Sequence, residues 1–286
     1  MLGLLRPKQW TKNLLLFAAL LFAERLLDPA SVAAACLGFV AFCLASSSVY
    51  VVNDLVDAER DRLHPTKRQR PIASGRVSKG AAAALAALLT AGALGLAFSI
   101  NGAFGAITLF YTALSHFYTF VGKNVVVLDV LLVAFGFVLR AVAGAFAIDV
   151  PFSDWFVLCT LFVALFIAVS KRRAELRALG QGSASRPVLE RYTEGALSAF
   201  TVTSMAAAII SYSLYVQDIL EERGGELRAL IFTVPFVILA IFRYYLLVDA
   251  DEAGEKPEET LISDRPLQAS ILGFVLVAVV AFYGRS

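Results

Sequence analysis

The chain has 286 residues, 59% of them hydrophobic and 17% charged, with a formal net charge of +2. That balance excludes a soluble domain with a wetted surface, and no nucleic-acid partner is expected. The composition calls for lipid.

Apolar runs of about 20 residues, enough to cross a hydrocarbon core roughly 30 Å thick, recur almost from end to end. They predict about nine transmembrane helices, near residues 13–28, 31–54, 81–100, 102–120, 125–148, 154–170, 194–217, 228–247 and 267–284. The first run ends in the polar segment Glu24 to Asp28 and apolar sequence resumes at Ser31, so it reads as a retained helix rather than a cleaved signal. Only Asn101 and Gly102 separate the third span from the fourth, and the polar turn Asp149 to Asp154, with Pro151, separates the fifth from the sixth. Cys36, Cys43 and Cys159 all lie inside apolar runs and read as small core residues.

With the N-terminus inside, most of the 25 Lys and Arg fall on cytoplasmic segments. The expectation is a cytoplasmic N-terminus, an external C-terminus and a multi-pass protein of the inner or plasma membrane. The whole of 1–286 reads as one all-α domain, a single bundle with cytoplasmic-side loops over about 55–80 and 171–193.

The second span ends in Asn53-Asp54-Leu55-Val56-Asp57-Ala58-Glu59-Arg60-Asp61. At 100° per residue, Asn53, Asp54, Asp57 and Asp61 fall within a stripe about 100° wide on one helical face. Unneutralised carboxylates at the edge of a low-dielectric medium repel one another, so a cation is expected among them. Oxygen ligands without His or Cys suit a hard ion. Mg²⁺ commonly takes one or two protein carboxylates and fills its shell with phosphate and water. The bland reading is a solvated helix end, but Glu59, Arg60 and Arg62 fall elsewhere around the helix.

Directly after the acids comes His64-Pro65-Thr66-Lys67-Arg68-Gln69-Arg70-Pro71-Ile72-Ala73-Ser74-Gly75-Arg76, a basic loop that its prolines stiffen. Guanidinium forks and ammonium groups are natural phosphate partners, so the adjoining acids and bases make a site for metal and phosphate together. His64 reads as a loop residue rather than a ligand. Asp129, near the cytoplasmic start of the fifth span, shares a helical face with Arg140, about 16 Å deeper. The segment Arg6 to Asn13 and the cluster Lys171-Arg172-Arg173 are further candidate phosphate clamps at the same membrane face; as interfacial anchors they would be unremarkable.

Asn53 to Asp61 followed by Arg70-Pro71-Ile72-Ala73-Ser74-Gly75 resembles the UbiA-type intramembrane transferase superfamily, and the match in order and span number covers nearly the whole chain. Arg6-Pro7-Lys8-Gln9-Trp10-Thr11-Lys12-Asn13, the His64 to Arg70 stretch, and Leu128-Asp129 followed by Arg140-Ala141-Val142-Ala143-Gly144 look like its decaprenyl-phosphate phosphoribosyltransferase branch. Most superfamily members carry a second motif with two aspartates four apart. Here the positions four before and after Asp129 are Val125 and Val133, which disfavours a second full metal site.

The resemblance implies transfer of 5-phosphoribose from phosphoribosyl diphosphate (PRPP) to a polyprenyl (decaprenyl) phosphate at the cytoplasmic face, with release of diphosphate. In the best-known branch this feeds arabinan synthesis for the cell wall. Asp57 and Asp61, with Asn53 or Asp54, would hold Mg²⁺, and Asp129 would act beside them on a ribose hydroxyl or a metal-bound water. Lys12, Asn13, Asn53, Lys67, Arg68, Arg70, Lys123, Arg140, Lys171 and Arg172 are the substrate-binding candidates. The alternative enzyme is a UbiA-type prenyltransferase that moves a prenyl group from its diphosphate to an aromatic acceptor. A transporter is the alternative outside enzymes, but no second copy of the Asn53 to Asp61 motif supports repeated halves.

Overall fold

The computed structural model describes residues 2–63, 67–179, 187–250, 260 and 263–284, and every regular element among them is helical. His64 to Thr66 of the predicted basic loop, and residues 180–186 of the second predicted loop, lie outside the described residues. In chain order the elements begin with α1 (Leu2–Leu5), a 3₁₀ helix over Pro7–Phe17, and α2 (Ala18–Phe22). Then follow α3 (Pro29–Val56), α4 (Ala58–Leu63), a 3₁₀ turn over Lys67–Gln69, α5 (Lys79–Ile100), α6 (Gly102–Phe120) and a 3₁₀ turn over Gly122–Asn124. The rest are α7 (Leu128–Ala147), α8 (Asp154–Leu179), α9 (Glu194–Glu222), α10 (Val234–Asp249) and α11 (Arg265–Tyr283), with 3₁₀ turns before α9 and α10.

Eight segments among the described residues are helices long and apolar enough to cross a membrane, from Pro29–Val56 to Arg265–Tyr283, and they match the second to ninth predicted spans within a few residues. Their boundaries have local causes. Asp28 accepts a hydrogen bond from Ala30 N–H ahead of Pro29 in the first turn of α3. Ser78 caps α5. Asn101 divides α5 from α6 by accepting from Phe104 N–H at 2.7 Å, while its amide donates to the Phe146 carbonyl at 2.8 Å.

The first predicted span, 13–28, is not a single α-helix. Its residues take the 3₁₀ helix and then the five-residue α2, which ends before Glu24 turns the chain at φ 57°. The segment nonetheless runs alongside α3 in the opposite sense. Arg6 meets Asp54, Trp10 Nε1 donates to Ser47 Oγ at 3.0 Å, Asn13 reaches Ser46 and Cys43, and Phe17 stacks with Phe39. A 3₁₀ helix rises about 2.0 Å per residue, so this segment and α2 together reach about 30 Å, the thickness of a hydrocarbon core.

Residue contacts divide the chain into two units. The first comprises Met1–Leu20, Arg25–Leu132 and Leu139–Pro151. In it α3 packs against α5 and α6. Small residues let α3 and α5 approach, and Ser48 Oγ bonds the Ala86 carbonyl at 3.0 Å and Thr90 Oγ1 at 2.6 Å, a polar contact where lipid offers no alternative partner. Phe42 of α3 stacks on Phe104 and Tyr111 of α6. Gly144 of α7 is dictated by packing: a Cβ there would lie 2.1 Å from the Leu16 carbonyl oxygen.

The second unit comprises Leu21–Glu24, Val133–Val138 and Phe152–Ser286. Here α8 packs along α9, and Phe166, Ala208, Ile241, Tyr244, Leu247 and Leu267 join α8, α9, α10 and α11 in one apolar cluster. Ion pairs tie the helix ends together. Arg173 Nε donates to Glu194 at 2.8 Å, and Arg243 pairs with Asp264, the N-cap of α11, at 2.7 Å.

Candidate functional site

The acidic motif sits where α3 stops. Asp57, at φ −89° and ψ 0°, interrupts the helix between Val56 and Ala58, yet the hydrogen bonds from Asp57 N–H to the Asn53 carbonyl and from Asp61 N–H to the Asp57 carbonyl keep the turn going. Asp54 and Asp61 stay on one side of this joint and are buried, at 2% and 4% exposure. Asp57 and Asn53 are half-buried.

Three cations meet these acids. Arg70 Nη1 donates to Asp61 at 2.6 Å and to Asp54 at 3.1 Å, so the two carboxylates face one another across a single nitrogen. Arg6 makes a second ion pair with Asp54. Asp57 is held apart from that pair by Lys123, whose Nζ lies 2.7 Å away. The expected convergence of three carboxylates is therefore realised as a pair plus one. Glu59, exposed on the other side of α4, binds Arg62 and Lys79. The Lys79 hydrogen bond, then the Arg62 charge, hold its carboxyl below the usual range.

Local folding aims each cation. After Arg70, the residues Ile72 and Ala73 are buried, Ile72 among Leu4, Val51 and Ala58, so the loop is pinned to the core. Arg62 Nε donates to the Ala73 carbonyl and Val77 N–H to that of Pro71, closing the turn. Lys123 rides on the 3₁₀ turn after α6 and is 8% exposed. Arg6 occupies the left-handed region at φ 49°, ψ 60°, with its guanidinium 5.0 Å from the centre of the Tyr50 ring. A non-glycine residue there is uncommon, and such backbone concentrates at ligand-binding sites.

A second cluster lies within the first unit. Arg140 Nε donates to the Asn13 side-chain oxygen at 2.8 Å, and its Nη2 to the Tyr111 hydroxyl at 2.7 Å. Asn13 is fully buried and donates onward to Ser46 and Cys43 of α3. These bonds fix the 3₁₀ segment to α3 and α7. Asp129 is fully buried in the first turn of α7, just after Val127, which holds φ 69° despite its branched Cβ.

The sequence-derived candidates thus fall into groups. Asp54, Asp61 and Arg70 come together, as do Asp57 with Lys123 and Asn13 with Arg140. Lys67 is half-buried and Arg68 exposed on the loop, and Lys12 is half-buried on the 3₁₀ helix. Lys171 and Arg172 belong to the second unit, where Arg172 pairs with Glu175 of its own helix at 2.6 Å. Within the string Arg6 to Asn13, sequence reasoning favoured Lys12 and Asn13, and it was Arg6 that reached the acids.

Among the described residues no three His, Cys, Asp or Glu side chains are grouped to hold a metal. What is present fits a different arrangement. Two hard carboxylates converge on one point with a third nearby and cations around them, the donor set for a divalent ion that completes its shell with phosphate and water.

The UbiA prenyltransferase family model matches residues 14–260. The chain belongs to that family. This UbiA member is accordingly a polytopic membrane transferase. It is 40% identical to a decaprenyl-phosphate phosphoribosyltransferase of Mycolicibacterium smegmatis, over 97% of this chain and 91% of the relative. It is 39% identical to the protein of that name from Corynebacterium glutamicum, over 99% and 86%. A UbiA homolog from Archaeoglobus fulgidus, solved bound to GPP and Mg²⁺, shares the fold at a TM-score of 0.73 and 22% identity, with 98% of each chain covered.

Proposed function

We propose that this UbiA-family protein transfers 5-phosphoribose from PRPP to a polyprenyl phosphate, decaprenyl in the relatives' case, at the cytoplasmic face of the cell membrane, with Mg²⁺ as cofactor. The observation that carries the reading is the near full-length identity to relatives named for that reaction. The site agrees with it. A donor with both a diphosphate and a 5-phosphate needs more cations than a prenyl diphosphate does, and Arg6, Arg70 and Lys123 already surround the acids, with Lys67 and Arg68 on the adjoining loop.

Asp54, Asp57 and Asp61, with Asn53, are the residues that would hold the ion. When bound, it would neutralise charge growing on the departing diphosphate. Arg6, Arg70 and Lys123 grip phosphate oxygens and fix the donor's orientation. Asp129 accepts a hydrogen bond from a ribose hydroxyl. The lipid phosphate is already ionised and needs no general base. Its oxygen attacks C1 from the face opposite the diphosphate, the new C1–O bond forms as the old one breaks, and diphosphate leaves with the electron pair.

The test is to incubate detergent-purified protein with Mg²⁺, PRPP labelled in the ribose and a polyprenyl phosphate, then to count label in the organic phase. Transfer that EDTA abolishes is the expected result. Absence of transfer with that pair, together with label passing from a prenyl diphosphate to an aromatic acceptor, would replace this reading with the prenyltransferase one.

A further inference from the structure

Three carboxylates and three cations of the chain itself balance the charge of the site. Asp54, Asp57 and Asp61 are each in an ion pair, with Arg6 and Arg70, with Lys123, and with Arg70 respectively. Asp54 and Asp61 have 3% and 6% of their side chains exposed, so their charges depend on these partners rather than on water. A lone divalent ion entering here would have to displace Arg70 from two carboxylates at once and Arg6 from one of them. The freed guanidiniums would then face the ion across a few ångströms with no anion to receive them.

A diphosphate that arrives with its ion changes this balance. Its oxygens offer Arg6, Arg70 and Lys123 new anionic partners at the moment the carboxylates gain the ion. Each guanidinium exchanges a carboxylate for a phosphate, both of which its planar fork fits. Arg70 is placed for this exchange, since it is one-quarter exposed while the carboxylates beneath it are not. Arg6 is likewise 23% exposed and has the Tyr50 ring against its guanidinium.

We infer that the species this site takes up is the metal–diphosphate chelate, and that Arg6, Arg70 and Lys123 exclude a divalent ion presented alone by occupying its carboxylates as internal counter-ions. This rests on the proposed metal-diphosphate reading of the site and adds to it which species binds. Coupling between ion and diphosphate is reciprocal, so each must raise the protein's affinity for the other by the same factor, expected to be on the order of tenfold or more. Removing a counter-ion weakens that coupling, because uncovered carboxylates take the ion without help.

The experiment is equilibrium dialysis of the full-length protein in detergent with radiolabelled Mn²⁺ and radiolabelled inorganic pyrophosphate, separately and together. The excess of each label on the protein side counts what is bound, whatever chelation occurs in free solution. Weak Mn²⁺ binding alone, at least about tenfold tighter binding with pyrophosphate, and the same factor read from the pyrophosphate label are expected. Arg70→Gln should bind Mn²⁺ alone more tightly than the parent and show a smaller factor. Lys123→Gln, which uncovers only Asp57, tests the same point should Arg70→Gln fail to fold. Lys79→Gln, which alters only the exposed pair with Glu59, should leave the factor unchanged. Equal Mn²⁺ affinity with and without pyrophosphate would overturn the inference while leaving a metal-diphosphate site standing. No Mn²⁺ retained under any condition, pyrophosphate included, would remove the underlying reading as well.

Discussion

At the scale of single residues, the motif was legible as chemistry but not as pairing. Residue type and spacing were enough to single out Asn53, Asp54, Asp57 and Asp61, because helical periodicity alone aligns them. The spacing could not show that Asp57 would sit at a break and face Lys123, which is distant in sequence, while Asp54 and Asp61 close on Arg70. The pairings decide what substitutions do. Asp61→Asn keeps the side chain's shape and one acceptor for Arg70 but removes the charge a divalent ion needs. Turnover should fall at least about 100-fold, the scale of losing one electrostatic contact to a developing anion. The unfolding temperature in detergent should move by only a few degrees; near-normal phosphoribosyl transfer by this variant would take Asp61 out of the site. Arg6→Lys tests a subtler point, because lysine keeps the charge and loses the planar fork that pairs with Asp54 and lies against Tyr50. Its KM for PRPP should rise about tenfold, equivalent to roughly 1.4 kcal/mol. An unchanged KM would make Arg6 a structural residue.

Among elements, the long α-helices declare themselves by length and hydropathy, and their ends by caps such as Asp28, Ser78 and Asn101. The Pro7–Phe17 segment is harder to read. It sets the polar Lys8, Gln9, Thr11, Lys12 and Asn13 ahead of the apolar Leu14 to Phe17, a 3₁₀ run this long is unusual, and nothing in the side-chain periodicity announces it. Two antiparallel α-helices joined near residue 26 would set Arg6 opposite α3 about two turns short of Asp54. The longer 3₁₀ rise, about 0.5 Å more per residue, makes up part of that distance. What holds the segment in this form is contact with α3 and α7, chiefly Asn13 with Arg140 and the bare Cα of Gly144 against the Leu16 carbonyl. Gly144→Ala therefore places a methyl group where the backbone already lies. The expected cost is about 1–3 kcal/mol in stability, typical of overpacking a tight core. It should appear as a lower unfolding temperature and, because Arg6 lies at the far end of the same segment, as weaker PRPP binding. Full stability with full activity would mean that the segment can shift freely along α7.

For the whole molecule, the number of crossings decides which face each end of the chain occupies. The eight long helices alone would leave residue 29 and residue 283 on the same side, whereas a crossing by the predicted first span, whose chain lies along α3 from Asp54 to Phe39, would be a ninth. Sequence charge makes the same demand. Arg6, Lys8 and Lys12 precede the predicted first span at 13–28, and they can share the cytoplasmic side with the basic loop after α3 only if the chain crosses twice between them. That arrangement also lets Arg6 and Asp54 meet at one membrane face, as their ion pair requires. A fluorescent protein that matures only in the cytoplasm should therefore light up when fused before Met1, and alkaline phosphatase, active only outside, should work when fused after Ser286. Fluorescent protein active at both ends, or phosphatase active at both, would mean an even number of crossings. The 3₁₀ segment would then have to lie outside the lipid, and the site built on Arg6 and Asp54 would lose its N-terminal wall.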